Sequence, residues 1–162
     1  MTKRSIVNGF VAAALALSAS RALAQMPNSY GAPVNLESAK KAAAAAIAEA
    51  RKNSWTMAVA VTDTAGYLVY FEKIDGTQTG STVVAVDKAR SAALFKRPTK
   101  AFQDGLAAGG EGWRILRLEG AVPVEGGLPL VMDGKIVGAI GVSGGTAAQD
   151  GLAAKPGADA LK

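Results

Sequence analysis

Apolar positions along the chain alternate between a helical rhythm and short strand-like runs. From Leu36 small and apolar residues recur at helical spacing through AKKAAAAAIAEARK, leaving Lys40, Lys41, Glu49, Arg51 and Lys52 for a wet face. This predicts a helix from Leu36 to about Lys52, capped by Asn35 and stopped at Asn53. Met57 to Thr62 (MAVAVT) reads as a buried strand. Asp63-Thr64-Ala65-Gly66 is a turn, and Tyr67 to Lys73 (YLVYFEK) returns as the partner strand. Asp75 to Gly80 is polar loop. Ser81 to Arg97 has mixed periodicity, but its length and lack of glycine predict a helix that Pro98 stops. Thr99 is placed to cap a short helix reaching about Ala107. Ala108 to Gly112 is a glycine-rich loop, and Trp113 to Leu118 (WRILRL) fits a strand or a helical turn.

The strongest local signal is the stretch from Glu125 to Asp150. Two apolar runs, Leu128–Met132 and Lys135–Val142, flank Asp133-Gly134. Asp-Gly between β-formers predicts an antiparallel hairpin with a type I′ turn, which needs positive φ at both central residues. One diglycine (Gly126, Gly127) opens the hairpin and another (Gly144, Gly145) closes it. Thr146-Ala-Ala-Gln149 then matches a capping box, so a last helix starts near Ala147, interrupted around Lys155-Pro156-Gly157. Gly138 and Gly141 lie inside the second strand. Glycine weakens a strand unless something packs closely there, so a helix or a second subunit is expected against them.

The first residues fall outside this frame. Lys3 and Arg4 precede an apolar run from Ile6 to Ala19 that is short for a bilayer span, and Ala22-Leu23-Ala24 matches an A-x-A cleavage site. Residues 1–24 are therefore expected to be a cleavable signal peptide, 25–34 a flexible mature N-terminus, and 35–162 a single domain. Export to the periplasm or beyond follows, with no stable membrane insertion after cleavage. The full chain of 162 residues carries 18 basic and 13 acidic side chains, a net +5. Removing Lys3, Arg4 and Arg21 leaves 15 basic side chains against 13 acidic, or +2. That near-balance, with no basic cluster interleaved with aromatics, argues against a nucleic-acid partner.

The chain has no cysteine and no histidine. Disulfides, thiolate metal sites and cysteine nucleophiles are excluded. So are the Ser-His-Asp triad and imidazole ligation of a metal or haem. No dedicated metal site is expected.

Hairpins interleaved with helices argue for an α+β domain with an antiparallel sheet. Strands with little polar alternation call for cover on both faces. At this point three segments resemble the GlcG/HbpS family of small haem-binding-type domains, also seen as the C-terminal domain of PduO-type adenosyltransferases. They are Ala58–Tyr67 (AVAVTDTAGY), Val86–Thr99 (VDKARSAALFKRPT) and Gly126–Asp150. The resemblance implies a profilin-like sheet of about five strands flanked by helices. It also implies homo-oligomers, several of them exported, and haem or a related tetrapyrrole as the leading small-molecule ligand. In the PduO-type domain a histidine ligates haem iron. This chain has none, so any haem would bind without histidine ligation.

Haem needs an apolar slot and cations for its propionates, and usually an axial ligand. Candidate ligands are Met57, Met132, Tyr30, Tyr67, Tyr70 and lysines, although Met57 reads more simply as core. Lys88 and Arg90, after Asp87, are placed to hold a carboxylate or else to lie on a solvated helix face. Glu125-Gly126-Gly127 lets a ligand approach backbone closely, and Glu125 is the best available general base. Ser143-Gly144-Gly145 at a helix start offers N–H groups to an anion, with capping as the plainer reading. Thr99 completes the candidate set. Three functions follow: a small-ligand-binding protein; a cofactor-free enzyme on a small organic or aromatic carboxylate, with Lys88 or Arg90 holding it and Glu125 or Tyr67 moving protons; and an accessory subunit.

Overall fold

The computed structural model describes residues 28–162. The expected signal peptide and the start of the mature N-terminus lie outside the described residues. The elements run α1 (Leu36–Lys52), β1 (Ala58–Asp63), β2 (Leu68–Lys73), α2 (Ser81–Phe95), α3 (Thr99–Ala107), a 3-10 segment (Gly110–Arg117), β3 (Gly127–Met132), β4 (Lys135–Ser143) and α4 (Ala147–Asp159). The strands form one antiparallel sheet in the order β2-β1-β4-β3. The α+β expectation holds, with four strands where about five were expected. Trp113–Leu118 supplies none, because it falls in the 3-10 segment and at its C-terminal end. In place of a fifth strand, Ser29–Val34 runs beside the start of β4. Gly31 donates to Ile136 O, Ile136 to Ser29 O, and Val34 to Val137 O. β1 has already turned away there, its last pairing being Asp63 with Gly138. The freed edge of β4 therefore takes up residues that composition alone marks as loose.

The hairpin turn has the predicted geometry, with φ of 48° at Asp133 and 71° at Gly134. Asn35 caps α1, its side chain accepting from Ser38 N. Thr146 and Gln149 close the capping box on α4. α4 runs unbroken through Pro156, whose cost is offset by burial of Ala153, Ala154, Gly157 and Ala158.

Two helix layers cover the sheet. Val59, Val61, Ile140 and Val142 pack with the alanines of α1 and α4, while Ala58, Ala60 and Ala139 meet the alanines of α2. Small residues on both sides bring α2 close. A Cβ on Gly141 would stand 2.1 Å from Ala85 O and 2.4 Å from Ala89 N. The partner expected against this strand glycine is thus a helix of the same chain.

Candidate functional site

The opening diglycine lies over a buried ion pair. Lys88 extends from α2 past the end of β4 to α4, where Nζ meets Asp150 Oδ2 at 2.6 Å and donates to Val142 O at 3.1 Å. Its side chain is 1% exposed and that of Asp150 4%. Asp150 Oδ1 accepts from Gly145 N at 2.9 Å. The Gly144-Gly145 cradle expected to bind an anion is therefore filled by the protein's own carboxylate. Burial pushes the Asp150 carboxyl above its ordinary value of 3.8, while hydrogen bonds from Lys88 and Gly145 pull it back. Gly126 covers the pair at a φ of 127°, and a Cβ there would lie 2.9 Å from Lys88 Nζ. Gly127 donates to Thr99 Oγ1 at 2.9 Å. Thr99 is thus no helix cap. It is buried, and its hydroxyl satisfies a strand N–H.

In front of this turn lies an open cleft of about 520 Å³ between β3 and α4. Leu128, Pro129 and Val131 from β3, Ala158 from α4, and Pro98 give it an apolar wall. Lys100, Lys155 and Lys162 stand around it with Glu125 and Asp159. Asp159 holds Lys155 and Lys162 at once, and these two hydrogen bonds lower its pKa from the ordinary 3.8. Lys100 pairs with Asp104 at 2.7 Å, and that hydrogen bond holds it above its ordinary value.

The cleft collects Glu125 and Gly127 from the sequence candidates, with Gly126 behind them. Lys88 is sealed off and neutralised by Asp150, so it neither holds a substrate carboxylate nor lies on a solvated face. Arg90 lines a different depression, with Asp87, Leu94 and Glu119. Ser143 is buried against Ser81, Oγ to Oγ at 3.2 Å. The structure also scatters the candidate iron ligands. Met57 is core and Met132 borders two other depressions. Tyr67 is 71% exposed on the β1–β2 turn. Tyr30 donates to Ala93 O at 2.8 Å, and Tyr70 to Glu72. Sequence reasoning missed Lys100, Lys155, Asp159 and Lys162. The signal available was spacing: Gly151, Lys155, Ala158 and Asp159 fall on one face of α4, and Lys162 follows three residues past its end. Among the described residues no three acidic, histidine or cysteine side chains converge as a metal site, and no helix is long and apolar enough to cross a membrane.

A family model described as "Haem degrading protein HbpS-like" matches residues 34–159, nearly the whole described chain. The chain belongs to the HbpS-like family. Protein GlcG of Escherichia coli K12 is 38% identical over 95 residues, spanning 59% of this chain and 69% of GlcG. A 15.0 kDa protein from the dhaT-dhaS intergenic region of Citrobacter freundii is 32% identical over 130 residues, 79% of this chain and 92% of the relative. Among solved structures, HbpS superposes with a TM-score of 0.75 at 30% identity, covering 83% of this chain and 94% of HbpS. A PduOC:heme complex gives 0.71 at 23% identity, covering 80% and 96%, which speaks for the fold. The antiparallel sheet flanked by helices is thus shared with these HbpS-like structures.

Proposed function

We propose that this chain is an exported small-ligand-binding protein whose cleft takes haem or a related tetrapyrrole. One observation carries the reading. The cleft pairs a continuous apolar wall with three lysines at its rim, as a flat apolar ligand with carboxylate arms requires. The family's description as haem-degrading points to the same ligand class. The fit is to the ring and its acids. The lining holds no methionine or tyrosine, and the chain has no histidine. Haem, when bound, would bring a redox-active iron. The protein's own contribution is different: Leu128, Pro129, Val131 and Ala158 exclude water from the ring, and Lys100, Lys155 and Lys162 hold the acids. Exposed apolar residues on α2 and the 3-10 segment favour a homo-oligomer as the working form.

A hemin titration of the protein followed by absorbance tests this. A saturable, stoichiometric change with a sharp Soret band is expected, and iron-free protoporphyrin IX should compete for the same cleft. A broad spectrum that never saturates would remove tetrapyrroles as the ligand.

A further inference from the structure

The cleft has polarity along its length. At one end Glu125 packs against Gly151 in the first turns of α4, close enough that a Cβ on Gly151 would lie 2.4 Å from Glu125 Oε1. At the other end Lys155 and Lys162 converge on the last turn of α4. Gly151 and Asp159, the last residue of α4, are separated by roughly 12 Å at 1.5 Å per helical residue. An elongated ligand in this groove therefore meets Glu125 with Lys100 beside it at one end, and two ammonium groups gathered on Asp159 at the other.

The ammonium pair is already engaged, by Asp159. Its Oδ2 accepts from Lys155 and its Oδ1 from Lys162, so both carboxylate oxygens are taken. Yet an acid in the last turn of a helix is poorly placed, because the macrodipole there is negative. The cations favour that end and Asp159 does not. The group is also solvent-accessible: Lys155 and Lys162 side chains are 67% and 63% exposed and Asp159 39%. An exposed ion pair contributes little, so exchanging one carboxylate partner for another costs little. The contrast with Lys88 and Asp150 is direct. That pair is closed off and cannot exchange, whereas Asp159 can leave its lysines by rotating its side chain into water.

We propose that Lys155 and Lys162 form the carboxylate-binding end of the cleft, and that Asp159 is an internal stand-in that the ligand's carboxylate displaces. This rests on the cleft being the ligand site. The ligand class it selects is an elongated amphiphile with an apolar body against β3 and an acid at the α4 end. Asp159 thereby sets the affinity for acids: it competes with every acid, while an ester of the same shape, which cannot take over its lysines, binds through the apolar wall alone.

Fluorescence titrations with protoporphyrin IX and with its dimethyl ester test this in the wild-type protein, in Asp159→Asn and in the double variant Lys155→Met/Lys162→Met. The acid should bind Asp159→Asn more tightly by roughly twofold to fivefold, the range of an exposed ion pair, and the double variant more weakly by a similar factor. The ester should not respond to either change. If the acid responds to neither, or the ester responds as strongly, the carboxylate end is refuted. The cleft reading then still stands, provided Leu128→Asp abolishes binding of both. If neither porphyrin binds the wild-type protein, the cleft reading and this inference fail together. Far-UV circular dichroism of every variant, Leu128→Asp on β3 included, should match the wild type, so that lost binding is not lost folding.

Discussion

At the scale of single residues, the buried pair of Lys88 and Asp150 decides most. It joins helices on opposite faces of the sheet at the point where the diglycine turn crosses. Removing one partner leaves a buried charge alone, so Lys88→Met should destabilise the protein by about 3–5 kcal/mol in urea unfolding at neutral pH. The pH dependence has a definite sign. Asp150 titrates above its ordinary 3.8 in the folded state because burial disfavours its ionised form. The folded protein therefore holds the proton more tightly than the unfolded chain, and this group's contribution to stability falls as pH rises from 3.8 through its folded value. Taking away Lys88 raises that value further. The cost of Lys88→Met should thus be clearly smaller near pH 4 than at pH 7, and an equal cost at both would show that the lysine does not offset the carboxylate's charge. Thr99 offers a second test. Thr99→Val keeps the shape but leaves the buried Gly127 N–H without its acceptor, and should cost about 1–3 kcal/mol in the same experiment. Sequence position identified Lys88 and Thr99 as notable, yet assigned them a ligand and a cap. Both assignments depended on which way a side chain points, and that is set by elements far away in sequence.

At the scale of elements, α4 and β3 define the cleft, and each breaks a local rule to do so. α4 keeps Pro156 in its interior with no N–H for Leu152 O, held by burial on α1 and β4. Pro156→Ala should raise stability by roughly 1–2 kcal/mol, less than the full helix-propensity difference because the freed unfolded chain gains entropy. A higher melting temperature with unchanged porphyrin affinity is the expected outcome. β3 is an edge strand, and an edge invites pairing with another chain. Here Gly127 N–H is occupied by Thr99 and Pro129 has no N–H to give. The edge is left poor in donors, which suits an apolar ligand wall better than a docking strand.

At the scale of the whole molecule, both faces of the sheet are covered, but the outward surface of α2 keeps apolar residues. Val83, Val84 and Leu94 on α2 are exposed, as are Trp113 and Leu116 on the 3-10 segment, none of whose residues is buried. A surface of this kind favours a second copy of the chain. Val83→Glu with Leu94→Glu should shift sedimentation towards a monomer while leaving circular dichroism unchanged. Identical sedimentation of variant and wild type would overturn this surface as a subunit contact.

The sequence by itself determined the local structure wherever the physical cause was local. Asp133-Gly134 forced the hairpin through its backbone dihedrals, Asn35 and Thr146 set helix starts through their own side chains, and the absence of cysteine and histidine limited the chemistry before any folding. Sequence spacing also made Lys155 and Asp159 neighbours on one face of α4, with Lys162 just past its end. Only the tertiary structure decided what that face would meet. The register of β3 on β4 and the packing of α4 beside them turned three exposed charges and three apolar residues into one cleft. The same packing closed Lys88 onto Asp150 across 62 residues of chain, consuming the most suggestive cation in the sequence. Contacts between distant segments depend on the whole set of packed faces, and no single stretch encodes them.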